Sequence, residues 1–322
     1  MSIAVRTARA SRPRERRADR WGDVLIRALC GLACLVALAC LVAIAYKLIS
    51  GAHLAFSKFG LGFLDSSTWK PNFKQFGALP FIYGTAVTSG MALLLALPIG
   101  VAIGLYLSLL APQRLRGIIG PLVEMLAAIQ SVILGLWGIL ILAPFIRDRE
   151  PTLHNALGFI PLFGKPQTVG ASVFTAALIL TIMVIPIIAS ISRDLFLTVP
   201  GEMKDGAIAL GATQWEVVRG VILPTTASGV VSAALLGLGR ALGEAIAVAQ
   251  VIGGGNLSHT SLFETGDTMA SRIAVQFPGA LNELHFASLY YLAVILLVIG
   301  LVFNLLAQLI SRRFSVERAV SR

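Results

Sequence analysis

The chain has 322 residues, of which 57% are hydrophobic and only 13% charged, with a mean hydropathy of +0.84. Soluble domains carry about 25% charged residues, so these values exclude a soluble globular protein and describe an all-α integral membrane protein with a single transmembrane domain. The formal net charge of +10 would point to nucleic acid in a soluble chain, but here basic residues flank hydrophobic runs without aromatic interleaving, and no nucleic-acid partner is expected.

A bilayer core of about 30 Å takes roughly 20 apolar residues per helix. Six runs are long enough: 24–49, 79–110, 122–146, 171–191, 221–254 and 286–310. The chain divides accordingly into a basic tail 1–23, a first transmembrane helix 24–49, a segment 50–78, a core 79–310 that contains the polar loop 192–220, and a basic tail 311–322. The first run follows "RPRERRADRWGD" and runs on through "LVAIAYKLI", too long for a secretory h-region of about 7–15 residues, so it reads as a retained span. Cys30, Cys34 and Cys40 all fall within it and read as small buried hydrophobes rather than a disulfide or metal set. Pro80, Pro98 and Pro224 mark places where the long second and fifth runs tilt, kink or begin as interfacial turns.

Six spans put both termini on one side. The two tails with loops 111–117 and 192–220 carry 16 Lys and Arg, against 7 in segments 50–78, 147–169 and 254–286. This asymmetry predicts cytoplasmic termini, with the Arg-rich tail touching anionic membrane lipids. Trp21, Trp69, Tyr290 and Tyr291 near span ends are expected to form an aromatic belt.

Loop 192–220 is amphipathic where the rest of the chain is apolar. Pro200 suits a first helical turn, and Glu202 and Asp205 complement the dipole there. Met203, Ala207 and Leu210 recur at helical spacing to give one apolar face, Gly211 ends the helix, and "TQWE" at 213–216 is a capping-box pattern that opens a second helix. The loop is therefore predicted to be a helix-turn-helix. Its spacing, Asp205-Gly206-Ala207, three residues, Gly211, nine residues, Val221, one residue, Leu223-Pro224, resembles the coupling-loop signature of ABC importer permeases. Asp stands for Glu, Gly206 for Ala and Val221 for Ile, while every spacing is kept. "GFLDSSTWKPNFKQFGALPFIYGTAVTS" (62–89), "EMLAAIQSVILGLWG" (124–138), "LGATQWEVVRGVILP" (210–224) and "LGLGRALGEAIAV" (236–248) extend the resemblance to the phosphate branch of that family.

The resemblance implies a type I ABC importer permease fold of six transmembrane helices with a cytoplasmic coupling helix. It further implies a PstA-like second permease subunit, a PstB-like ATPase dimer and a PstS-like phosphate-binding protein, with inorganic phosphate as cargo. Residues Glu202, Asp205, Gly206, Ala207, Gly211, Leu223 and Pro224 would then couple to the ATPase. The outer loops, including 157–166, would dock the binding protein. The sequence has no G-x-x-x-x-G-K-[ST] phosphate loop, so the chain is expected to be non-catalytic, with ATP hydrolysis in a partner and no cofactor of its own.

Within "LLGLGRALGEAIAVAQVIG" (235–253), Arg240 and Glu244 interrupt an otherwise apolar run. A charge at mid-bilayer costs about 2.5–3.5 kcal/mol on the insertion scale, so each needs a partner or a task. Their spacing of four predicts neighbours on one helical face, which admits mutual neutralisation inside the bundle. The phosphate cargo that the resemblance implies adds a second reading, a substrate pathway in which the Arg240 fork holds the oxyanion and Glu244 competes for the guanidinium, limiting how tightly the ion is held. Arginine chemistry alone would equally serve molybdate or sulfate. A proton-coupled secondary carrier is a further reading, though the inverted repeats that often mark that class are not visible. Gly239 and Gly243, with Gly237 nearby, predict close approach of another helix, one belonging to the second permease subunit. Glu124 is expected to pair with Arg114 or Arg116, with a place in the pore as the alternative, and Gln130 and Gln250 are expected to bond between helices. His53, His154, His259 and His285 show no metal-like spacing and receive no site.

Overall fold

The computed structural model describes residues 17–164, 170–255 and 261–314, so His259 and most of both tails lie outside the described residues. Six of its helical stretches are long and apolar enough to cross a membrane: Gly22–Phe59, Leu79–Leu110, Ser131–Ala156, Val173–Thr198, Gln214–Gly243 and Glu283–Leu306.

Contacts divide the chain after Ser50. The first unit is most of helix α1 (Arg17–Phe59), which presents apolar side chains all round and keeps nearly all of them exposed. Cys30, Cys34 and Cys40 are therefore free and exposed, not buried as expected, because this stretch has no interior face of its own.

The second unit holds the rest. A short helix α2 (Gly62–Asp65) precedes α3 (Leu79–Leu105), where Pro80 sits in the first turn and Pro98 lies inside the helix without ending it; a π turn, Tyr106–Leu110, extends it. Along α3 the buried residues Gly84, Thr88, Ala92, Ala96, Gly100 and Gly104 recur every four positions, a small-residue ridge on which another helix can lie closely. That helix is α7 (Val173–Thr198): a Cβ added at Gly100 would lie 2.9 Å from Ile188 Cβ, and one at Gly104 3.0 Å from the Arg193 nitrogen. Ala92, Ala96, Ile179, Leu180, Met183, Val184 and Ile188 form the centre of the core.

The apolar run 122–146 is not one helix. α4 (Gln113–Ala128) ends where Ile129 and Gln130 turn extended, and the chain restarts as α5 (Ser131–Trp137), a π turn Gly138–Leu142 and α6 (Ala143–Leu157). Glu124 pairs with Arg193 of α7 at 2.9 Å rather than with Arg114 or Arg116, since the Arg116 guanidinium donates to the Ser108 carbonyl at 2.6 Å. Gln130 is exposed at the break, whereas the Gln250 side chain packs against Gly135 of α5.

After the fourth span comes α8 (Gly201–Ala209), and the fifth helical stretch opens with α9 (Gln214–Val217), followed by a π turn Val218–Ile222 and α10 (Leu223–Gly243) with Pro224 in its first turn. The run 221–254 then breaks at Glu244, and α11 (Ile246–Val251), α12 (Met269–Gln276) and α13 (Glu283–Phe314) complete the unit.

Around α2, α12 and the start of α13 lies an aromatic cluster of Phe63, Trp69, Phe76, Phe81 and Tyr291. Trp69 and Tyr291 are only 6% and 5% exposed, so they belong to this core and not to a lipid-facing belt. Each has a polar partner that explains its burial: Trp69 Nε1 donates to Gln276 Oε1 at 2.8 Å, and the Tyr291 hydroxyl donates to the Gly60 carbonyl at 3.0 Å.

Candidate transport site and coupling face

Helix α10 buries one side, Ala233, Ala234, Leu238, Ala241 and Leu242, and brings Gly237 against Val184 of α7, where an added Cβ would lie 2.6 Å from Val184 Cγ1. The close approach predicted for the glycines is thus made at Gly237 within the chain. At Gly239 and Gly243 an added Cβ would meet nothing within 4 Å, and both glycines line a cleft of about 790 Å³ with Ser232, Leu296, Gly300 and Asn304.

Arg240 lies in the last turn of α10, where the helix dipole favours a cation, and its side chain is exposed. It makes no hydrogen bond or ion pair among the described residues. Glu244 does not share its helical face as the spacing predicted. The helix ends at Gly243, Glu244 adopts extended backbone (ψ 117°), and its carboxylate accepts from the Ala247 amide at 3.2 Å, satisfying a free N–H at the start of α11. A break in the helix has cancelled a four-residue periodicity that holds only while the helix continues.

A buried pair that the sequence reading does not include lies elsewhere. Arg272 Nε stands 2.9 Å from Asp267 Oδ2, both side chains almost fully buried. Ser271 and the Thr268 amide donate to the same carboxylate. The guanidinium donates to the Gly255 carbonyl at 3.1 Å and lies 4.5 Å from the Phe81 ring centroid. Burial pushes the Asp267 carboxyl above the usual carboxylate range, opposed by Arg272 and the two hydrogen bonds; burial also lowers Arg272, opposed by Asp267. The sequence signal was available: Asp267 and Arg272 flank "TMAS", whose Thr268 and Ser271 form a capping box at α12.

The helix-turn-helix is found where the sequence put it. Pro200 is the N-cap of α8, Gly211 turns the chain with φ +89°, and Thr213 and Glu216 form a reciprocal capping box, the Thr213 amide donating to Glu216 at 2.7 Å. Glu202, Asp205, Gly206 and Gly211 are exposed and Ala207 half-buried. The apolar surface is broader than the sequence suggested: Ile208 and Trp215 are exposed beside Met203 and Leu210, and Leu210 is 92% exposed. Leu223 and, from α8, Ala207 both pack against the cluster of Phe196, Val199, Val217 and Ile222, while Lys204 donates to the Phe196 carbonyl at 3.3 Å and ties α8 to α7.

Six apolar helices with an exposed helix-turn-helix between the fourth and fifth define the class, the membrane subunits of type I ABC importers. Two solved structures share the fold: a bacterial alginate ABC transporter in complex with an alginate-bound periplasmic protein (TM-score 0.60, 17% identity, 92% of this chain and 98% of that chain) and the inward-facing MetNI methionine ABC transporter (TM-score 0.52, 19% identity, 73% and 94%). The model of the binding-protein-dependent transport system inner membrane component matches residues 96–316. Phosphate transport system permease protein PstC of Mesorhizobium japonicum is 40% identical over 92% of this chain and 92% of its own length, and that of Haemophilus influenzae 40% identical over 90% and 93%. The chain belongs to the binding-protein-dependent transport system inner membrane component family and, within it, to the PstC permeases. It is a multi-pass inner-membrane protein and a non-catalytic transport subunit.

Proposed function

We propose that this chain is one of the two permease subunits of an ATP-driven importer of inorganic phosphate, pairing with a PstA-like subunit to enclose the path. A PstB-like ATPase dimer supplies the energy from the cytoplasm, where both termini lie, and a PstS-like protein delivers phosphate from outside. The observation that carries this reading is the identity of about 40% to phosphate permeases over nine tenths of the chain.

The residues suit the task. A phosphate ion crossing the bilayer needs replacements for its hydration, and the planar Arg240 fork matches two of its oxygens. With Glu244 occupied by the Ala247 amide, Arg240 has no carboxylate among the described residues to compete for it. A Glu244 that leaves that amide as the helix extends through it would regain the four-residue spacing to Arg240, compete for the guanidinium and promote release, as a pore site requires. Arg240 and the Glu244 break belong to the substrate pathway in this reading. On the opposite face, Glu202, Asp205, Gly206, Ala207 and Gly211 belong to the surface that seats in the ATPase, and Leu223 and Pro224 carry its movement into α10.

The test is ATP-dependent phosphate uptake into proteoliposomes bearing the whole complex, with wild type compared to Arg240→Gln at equal assembly by size exclusion. Uptake is expected to fall to background. Undiminished uptake would remove Arg240 from the path. Competition by molybdate or sulfate at concentrations that match phosphate would reassign the cargo to another oxyanion.

A further inference from the structure

The segment 70–75, "KPNFKQ", forms a small reverse loop whose geometry and chemistry the transport path does not use. Lys70 and Gln75 exchange backbone hydrogen bonds (2.8 and 3.3 Å), and the Phe73 and Lys74 amides donate to the Lys70 and Pro71 carbonyls at 3.1 Å each. Lys74 has φ +53° and ψ +32°, and it is the one non-glycine among the described residues with positive φ. An L side chain in that region is strained, and glycine or asparagine would sit there more easily.

At the tip of this strained turn Phe73 is 73% exposed, flanked by the exposed lysines Lys70 and Lys74. The base is the reverse. Trp69 and Phe76 are buried with ring centroids 5.0 Å apart, Trp69 is tied to Gln276, and the Ala78 amide donates to the Phe63 carbonyl at 2.7 Å. Gly77 lies so close to Ser66 that an added Cβ would fall 2.1 Å from the Ser66 carbonyl oxygen. A rigid, anchored base thus holds one aromatic ring and two cations outward.

We propose that this tip is a docking knob for the soluble substrate-binding protein, whose matching surface is an apolar depression for Phe73 bordered by carboxylates that face Lys70 and Lys74. Six alternating spans put the 60–78 segment on the face opposite the α8–α9 loop, the side from which a binding protein arrives. An exposed aromatic at a fixed position is a preorganised anchor, and flanking lysines set orientation and speed encounter. A lipid headgroup layer would also accept Phe and Lys, but it needs no fixed backbone, and the strained Lys74 and paired loop would then serve nothing. The inference rests on the importer reading above and adds to it the surface and the chemistry of the partner.

The experiment titrates phosphate-loaded binding protein against the complete complex and reads ATP-dependent phosphate uptake in proteoliposomes, together with direct binding to the complex in lipid-free detergent. Phe73→Ser is expected to raise the half-saturating concentration of binding protein roughly tenfold, with uptake at saturation unchanged. Lys70→Glu with Lys74→Glu should do the same and abolish the weakening of binding by added salt. Because all three side chains are exposed, assembly is expected to be unaffected, and size exclusion checks it. Half-saturation within twofold of wild type in both variants would overturn the proposal while leaving the importer reading standing. A loss seen in the bilayer and absent in detergent would assign the tip to the membrane surface instead, also overturning it. A wild-type complex that takes up no phosphate with its binding protein would overturn the importer reading and this one with it.

Discussion

Two arginines of this chain stand in opposite circumstances. Arg272 is buried, paired with Asp267, bonded to the Gly255 carbonyl and laid against Phe81. Arg240 is exposed at the end of α10 and engages nothing among the described residues. The first arrangement satisfies a charge within the protein and fixes three segments to one another; the second leaves a fork of donors for something the chain does not supply. Charge in an apolar sequence therefore carries two meanings, and partners distinguish them where hydropathy does not.

The largest expected effect follows at once: Arg240→Gln should leave assembly intact and remove phosphate uptake altogether, while Arg272→Ala should destabilise the complex itself. Replacing Arg272 by Ala leaves the Asp267 carboxylate buried without its counter-charge, a cost of about 3–5 kcal/mol when burial is complete. The readout is the thermal stability and yield of the assembled complex. A stable Arg272→Ala complex that has lost only uptake would break the comparison and move Arg272 into the transport path.

A smaller effect is expected on the opposite face. Leu210 is the most exposed large apolar side chain of the helix-turn-helix, and Trp215 stands exposed nearby in sequence. Leu210→Asp should weaken attachment of the ATPase by about tenfold, near 1.4 kcal/mol, without changing the stability of the membrane subunit. Co-purification of the ATPase at graded concentration measures it. An unchanged midpoint would confine the coupling surface to Glu202–Ala207.

The six spans were legible because burial in lipid demands long apolar runs, and the helix-turn-helix because Pro200, Gly211 and the Thr213–Glu216 box are local signals that act within a few residues. Helix breaks inside apolar runs were not. Ile129-Gln130 has no proline or glycine beside it, so nothing local announces that change of backbone; at the second break Gly243 can end a helix, but in an apolar run it reads equally as a packing residue, and the supposed Arg240–Glu244 face was lost there. Partners distant in sequence were equally hidden: Glu124 and Arg193 lie 69 residues apart, and Trp69 and Gln276 lie 207 apart. The ridge of small residues from Gly84 to Gly104 is legible in its strict period of four, although Thr88, Ala92 and Ala96 make it a less obvious signal than the glycine pair at 239 and 243.

The smallest effect tests whether the Asp267–Arg272 pair is held more by its surroundings than by its own attraction. The Nε of Arg272 is close to the carboxylate but is not aligned to donate to it, in keeping with burial outweighing the attraction and raising the Asp267 pKa. A carboxyl raised in the folded state binds its proton more tightly there than in the unfolded chain. Its contribution to stability is full below the ordinary value of about 3.9 and is lost as pH rises through the raised native value. Between those limits, lowering the pH should therefore increase the stability of wild type relative to Asp267→Asn, the reverse of ordinary acid denaturation by a paired carboxylate. Thermal unfolding of both complexes across that range measures the difference. A wild type that instead loses stability relative to Asp267→Asn as pH falls would mean that the attraction of Arg272 dominates, and that the pair is a stabilising salt bridge in its own right.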